Sequence, residues 1–212
     1  MQHVVFDFDG TLIDGYGPVT ESVNFALSRS GRAMVSAEQV RPLVGQGLEW
    51  LLARFFPEED VPRAVELFRR HYAEVYLQGN FLLADTERVL AQLHGAGLML
   101  AIASNKPAER VRGICDHLDI TRYLSVILGA GDVENLKPHP QMVLEALRRM
   151  KTGTDDTLYV GDTPTDIQTS RAAGLPIVCV LGGSATREQL LPHHPDLVIE
   201  RLEQLLEVMG ID

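Results

Sequence analysis

Apolar residues follow two rhythms along this chain. Short runs rich in β-branched and aromatic residues recur at HVVFDF (3–8), LMLAIAS (98–104), LSVILG (124–129), TLYVGD (157–162), LPIVCVLG (175–182) and PDLVIE (195–200). Runs of this length and composition read as buried strands. Between them the apolar positions take helical spacing, which predicts helices over 85–96, 107–118, 139–151, 164–174, 186–191 and 201–209. Strands that alternate with helices of this size build βαβ units. The pattern therefore predicts an α/β fold, a doubly wound parallel (Rossmann-like) sheet with helices on both faces. Right-handed crossovers bring every loop that follows a strand to one sheet edge, where ligands bind in such folds.

Residues 16–81 break the alternation and read as helices throughout, near 18–30, 36–43, 46–55 and 59–77. VPRAVELFRRHYAEVYL places Val61, Val65, Phe68, Tyr72 and Val75 on one stripe at helical spacing. Gly15 and Gly17 precede the first of these helices and Gly79 follows the last. The expected organisation is a core of residues 1–15 and 82–212 with an inserted α-helical cap domain, 16–81, tethered by two flexible crossings.

Composition narrows the functional classes. A chain of 212 residues holds one good core, or a core and a small second module. Its formal charge of −10 argues against nucleic acid as a partner, because a phosphate-backbone binder needs a basic face. No apolar run approaches the length of a membrane span, and no secretory signal is visible. Cys115 and Cys179 show no CxxC spacing and read as reduced thiols, so the expected location is cytoplasmic. His193 and His194 have no partner set suited to zinc.

The polar residues that interrupt strand ends carry the candidate chemistry. VFDFDGTLID (5–14) ends an apolar strand in Asp7 and Asp9, which extended geometry would place on one side, roughly 7 Å apart. Two carboxylates about 5 Å apart repel by roughly 3 kcal/mol at an effective dielectric near 20. A proton or a bound cation must offset that, unless Asp9-Gly10-Thr11 is simply a turn. GDTPTD (161–166) reads as a helix start, with Thr163 as N-cap and Pro164 at the first helical position. That leaves Asp162, a carboxylate at the same sheet edge as Asp7, without a structural explanation. ASNKPAE (103–109) is a second helix start that also presents the Ser104 hydroxyl at that edge. LKPHP (136–140) contributes Lys137, which alone would pass for a solvated loop lysine.

In that order and spacing, DxDGT, SN, the KP loop and GDxxxD resemble the haloacid dehalogenase-like hydrolase superfamily over the whole chain. The helical insertion, with RPLVGQGLEWLL (41–52), resembles the phosphoglycolate phosphatase-like subgroup and its small helical cap. The resemblance implies a Mg²⁺-dependent phosphatase that hydrolyses a small organic phosphomonoester, phosphoglycolate-like, through an aspartyl-phosphate intermediate. Asp7 would be the nucleophile and Asp9 the general acid and base. Mg²⁺ would be held by Asp7, the Asp9 backbone carbonyl, Asp162 and Asp166. Ser104 would hydrogen-bond a phosphoryl oxygen, while Lys137 would neutralise another and keep Asp7 ionised. Backbone N–H groups around Gly10 and Thr11 would complete the phosphate cradle, with Asn105 nearer the substrate. Gly45-Gln46-Gly47 is expected to meet the leaving group, and Arg41 or Arg54 to bind a carboxylate or lie on the surface. Asp14 is expected to fix the turn.

The partner is then a small phosphorylated metabolite, and the protein a monomer or homodimer. Alternatives are a β-phosphoglucomutase-like phosphotransferase, a pyrophosphatase, or a non-catalytic phosphate-binding or signalling domain. Two departures from the subgroup bear on substrate. FLLADTERVL (81–90) lacks a Pro-Gly pair, and Gly15 stands where the subgroup usually has Ser.

Overall fold

A computed structural model describes residues 1–211. The chain runs β1 (His3–Phe6), β2 (Ile13–Asp14), α1 (Tyr16–Arg29), α2 (Ala37–Val40), α3 (Leu48–Leu52), α4 (Val61–Val75), β3 (Phe81–Leu82) and α5 (Thr86–Gly95). It continues through β4 (Met99–Pro107), α6 (Ala108–His117), β5 (Val126–Ala130), α7 (Gln141–Met150), β6 (Thr157–Gly161) and α8 (Pro164–Ala173). It ends with β7 (Ile177–Val180), α9 (Arg187–Leu190), β8 (Leu197–Ile199) and α10 (Gln204–Met209).

Six strands form one parallel sheet in the order β5-β4-β1-β6-β7-β8. β1 lies between β4 and β6, with His3 opposite both Met99 and Thr157. From β1 the chain winds one way through β4 and β5, then crosses back to add β6, β7 and β8. The topological switch point therefore falls at β1, and its carboxyl end opens the crevice where ligands bind in such sheets.

Helices cover both faces, so the strands are continuous apolar runs. Val4 and Phe6 join Leu90, Ile114 and Leu205 in one apolar cluster. Val5, between them in sequence, points the other way into a cluster with Leu128, Met142 and Ile177. The expected strands and core helices form with their ends shifted by a few residues, as fraying ends do.

The helical stretch has an apolar cluster of its own, Val19, Val23, Leu27, Leu52, Phe56, Phe68 and Tyr72 among its members. Two of its helices are shorter than the periodicity predicts. The second gives way to a 3-10 turn at Arg41–Leu43, where Pro42 has no N–H to continue the helix. The third starts only at Leu48, because Gly45 and Gly47 hold φ of 106° and 102°.

The two crossings to this layer are not free tethers. β2 and β3 pair antiparallel, Ile13 opposite Leu82 and Asp14 opposite Phe81, and the Leu83 N–H donates to the Leu12 carbonyl at 3.0 Å. Two backbones leaving the core side by side satisfy each other's polar groups this way. Among the described residues, no helix is long and apolar enough to cross a membrane.

Candidate active site

Segments at the crevice edge place several of the predicted residues around one cleft of about 500 Å³, while Asp162 and Asp166 are fully buried and do not line it. Asp7, Asp9, Ser104, Asn105 and Lys137 line its floor. Val19, Leu43, Val44, Leu48, Leu51 and Phe68 of the helical layer form the opposite wall.

Asp7 is the first residue past β1 and still in sheet register, its N–H donating to the Val160 carbonyl at 2.8 Å. Beyond it the chain turns. The Gly10 N–H donates to the Ile13 carbonyl at 2.8 Å and the Thr11 N–H to the Phe8 carbonyl at 3.4 Å. Those N–H groups are spent within the turn, so the expected cradle at Gly10 and Thr11 does not form. Thr11 is fully buried and its hydroxyl donates to Asp162 Oδ1 at 3.2 Å, which supports a carboxylate instead.

Asp162 follows β6 and Asp166 lies in the first turn of α8. Thr163 and Asp166 form a capping box: the Thr163 hydroxyl accepts from the Asp166 N–H while the Thr163 N–H donates to Asp166 Oδ2 at 3.0 Å. The other Asp166 oxygen, Oδ1, accepts from Lys137 Nζ at 2.7 Å and the Tyr159 hydroxyl at 3.0 Å. Asp162 Oδ2 accepts from the Ser184 N–H at 2.6 Å. The loop after β7 comes so near here that a Cβ on Gly183 would collide with the Asp162 carboxylate.

Lys137 Nζ bridges Asp7 and Asp166, 2.7 Å from each, and donates to Tyr159 at 3.2 Å. One ammonium does not balance three buried carboxylates. Burial, with Asp166 beside it, pushes the Asp7 carboxyl up to about 7 against the pull of Lys137. Lys137 pulls the Asp7 pKa down, but by less than burial and Asp166 raise it, so the lysine alone does not hold Asp7 in the ordinary carboxylate range. Burial and the neighbouring Asp166 and Asp7 likewise raise Asp162 well above the carboxylate range. For Asp166 burial pulls upward too, but Lys137 together with the hydrogen bonds from Thr163 and Tyr159 outweighs it, and the carboxyl is held below that range.

One oxygen each from Asp7, Asp162 and Asp166 lies within 4.8 Å of the others. Three hard oxygen donors with excess negative charge in a buried pocket fit a small divalent cation. The Asp9 side chain is not part of this cluster. Lys106 Nζ takes both its oxygens, at 2.7 and 2.9 Å, in a pair only 7% and 11% exposed. Although burial pulls the other way, Asp9 holds the Lys106 ammonium above its ordinary range.

Ser104 is buried and accepts from the Lys106 N–H at 3.2 Å. The Asn105 side chain donates to the Gly45 carbonyl at 2.9 Å and the Lys137 carbonyl at 3.0 Å, and accepts from the Lys137 N–H at 2.9 Å. It joins the helical layer to the lysine loop rather than presenting a free amide to the cleft. Gly45 and Gly47 line the cleft, whereas Gln46 is exposed outside it. Arg41 pairs with Asp14 at 3.0 Å and lies over the Tyr16 ring. Arg54 stacks on Trp50, and neither arginine lines the cleft. Asp14 also accepts from the Tyr16 N–H at 3.2 Å, as a turn residue would. Gly15 has a local reason as well: a Cβ there would collide with Asp9 Oδ1.

Lys106, Tyr159 and Ser184 are the groups that pattern reading passes over. Lys106 stands inside ASNKPAE beside two candidates, and Ser184 follows β7, one of the two remaining strand ends on the crevice side, so position alone could have flagged both.

A doubly wound sheet carrying acidic residues, a serine and a lysine on its crevice edge, beneath a helical layer, is the arrangement of a Rossmann-like phosphatase. The family model described as haloacid dehalogenase-like hydrolase matches residues 4–180, and the chain belongs to that family, in its phosphoglycolate phosphatase-like subgroup. Similar proteins include "Phosphoglycolate phosphatase" of Salmonella paratyphi A, 32% identical over 98% of this chain and 92% of the relative. The protein of that name from Escherichia coli K12 matches with the same identity and coverage. A solved structure of a predicted phosphoglycolate phosphatase from Haemophilus somnus shares the fold with a TM-score of 0.91. It is 24% identical, and the match covers 99% of this chain and 98% of that one.

Proposed function

We propose that this phosphatase is Mg²⁺-dependent and cleaves a small organic phosphomonoester through a phosphorylated Asp7. The observation that carries this reading is the separation of two neighbouring carboxylates into different surroundings. Asp7 lies against Lys137 and the Asp162–Asp166 cluster, while Asp9 faces the same cleft from the Lys106 side. Carboxylates held in unlike environments suit unlike chemical roles.

Asp7, Asp162 and Asp166 would hold the cation, with the Asp9 backbone carbonyl. When bound it offsets carboxylate and phosphate charge and lets an anionic ester approach an anionic nucleophile. The protein's own groups supply the rest. Ser104 and Lys137 orient the phosphoryl oxygens, and an Asp7 oxygen bonds to phosphorus in line with the departing ester oxygen. As the P–O ester bond breaks, Asp9 gives its proton to the alkoxide. Asp9 then takes a proton from water, whose oxygen bonds to phosphorus while the P–O bond to Asp7 breaks. Residues 16–81 act as the cap that covers the cleft and excludes bulk water.

The names of the 32%-identical relatives support a phosphoglycolate-like substrate. The test is phosphate release from 2-phosphoglycolate, hexose phosphates, nucleotides and pyrophosphate, with and without Mg²⁺, beside Asp7→Asn. Mg²⁺-dependent release by wild type alone is expected. Release from none of them overturns the reading, and isomerised sugar phosphate among the products would reassign the protein as a mutase.

A further inference from the structure

Where the helical layer begins, one side chain ties it to the carboxylate cluster. Tyr16 opens α1 and is 3% exposed, and its hydroxyl shares a hydrogen bond with Ser184 Oγ at 2.6 Å. Ser184 belongs to the loop after β7, and its N–H donates to Asp162 Oδ2, also at 2.6 Å. A Cβ on Gly10 would collide with that carboxylate oxygen and with the Tyr16 hydroxyl together, so the two oxygens are close neighbours. The first residue of the layer thus stands one hydrogen bond from the loop that steers Asp162.

Both ends of this link are held. On the core side, a Cβ on Gly183 would meet the Gly10 carbonyl as well as Asp162, so the loop has no slack there. The buried Thr11 hydroxyl takes the other Asp162 oxygen at 3.2 Å. The turn of that carboxylate is therefore set by one donor from the core and one from the loop. On the layer side, the Arg41 guanidinium lies 4.5 Å from the centroid of the Tyr16 ring and pairs with Asp14 at 3.0 Å. Further along α1, Val19 lines the cleft and joins Val23 and Phe68 in the apolar cluster of the layer. A shift of α1 as a unit carries Tyr16 with it.

On the functional reading above, on which this inference rests, Asp162 holds the cation. A ligating carboxylate binds best when hydrogen bonds behind it fix its orientation in advance. We propose that Tyr16 and Ser184 are positioning residues for Asp162, and that through them cation binding is linked to the seating of α1 on the core. The link is reciprocal. A cation that fixes Asp162 and its loop seats α1, and loss of the Tyr16–Ser184 bond weakens the cation.

The test follows thermal melts of wild type, Tyr16→Phe, Ser184→Ala and the double variant over a Mg²⁺ titration without substrate. The readout is the rise in Tm with Mg²⁺, which reports affinity by mass action whatever the starting Tm of each variant. Each single variant is expected to weaken Mg²⁺ by about 3–10-fold, the worth of one hydrogen bond. The double variant should weaken it no further, because both substitutions break the same bond. Amide exchange supplies a second readout. Mg²⁺ should slow exchange at 182–186 and at 19–23 in wild type, but only at 182–186 in Tyr16→Phe. Where Tyr16→Phe does not fold, Ser184→Ala is read alone, since it removes the same bond from the loop side. Single variants that bind Mg²⁺ as wild type does, losses that add in the double variant, or no slowing at 19–23 in wild type would each overturn the link and leave the cation site standing. No rise in the wild-type Tm with Mg²⁺ overturns the cation reading and the link with it.

Discussion

Asp7 and Asp9 are two positions apart, and the fold gives each its own lysine: Lys137 to Asp7, Lys106 to Asp9. Lys137 is 7% exposed and the ammonium facing both Asp7 and Asp166. Lys137→Met should therefore strand two buried carboxylates. Unfolding in urea without added metal should show a loss of about 3–5 kcal/mol, the range for one partner removed from a buried pair. A loss well under that would mean water or protons compensate the site. Cys115 gives a prediction away from the site. Burial, with Asp116 nearby, pushes its thiol up to about 12, so at neutral pH it stays protonated and inert. A thiol-reactive dye should label it only as the protein unfolds, and prompt native labelling would contradict the burial described. At this scale the sequence is a partial guide. Asp7, Asp162, Ser104 and Lys137 are legible because each ends an apolar strand or sits in a loop of the matching motif. Lys106 is not, because its role depends on a carboxylate 97 positions away and on a helix that must fold over it.

The elements show where periodicity stops being informative. Core strands and helices are long enough to display it, but a two-residue pairing such as β2 with β3 shows none, so the two crossings read as loose. The short second and third helices of the insertion are bounded by Pro42 and by the positive-φ glycines 45 and 47, local breakers that override an apolar stripe. α8 is the opposite case: its Thr-Pro start and its capping box are both written in GDTPTD. Thr163→Ala removes the side-chain half of that box and should cost about 1–2 kcal/mol in chemical denaturation. Because the Thr163 hydroxyl also donates to Asp166 at 2.5 Å, the variant should bind Mg²⁺ more weakly as well. Unchanged stability and metal affinity together would show the capping box to be incidental.

At the scale of the whole molecule, the alternation of strands and helices makes the doubly wound sheet legible, and the break in it marks the helical layer. How that layer meets the core is not legible, since the contact joins positions with no shared pattern. Asn105 at the end of β4 reaches the Gly45 carbonyl across the cleft. Asn105→Ala should free that edge of the layer, raising KM by about 3–10-fold and speeding amide exchange around residues 44–48. Slow exchange in the variant would mean that apolar packing alone seats the layer. The central claim is that Asp7 carries the phosphoryl group, and one measurement tests it directly: rapid acid quench of the Mg²⁺-loaded protein during turnover, followed by mass spectrometry of its peptides. The account predicts an acid-stable, base-labile phosphate adduct on the peptide containing Asp7, absent from Asp7→Asn. Phosphate release with no adduct at any time point, or continuing in Asp7→Asn, would contradict it.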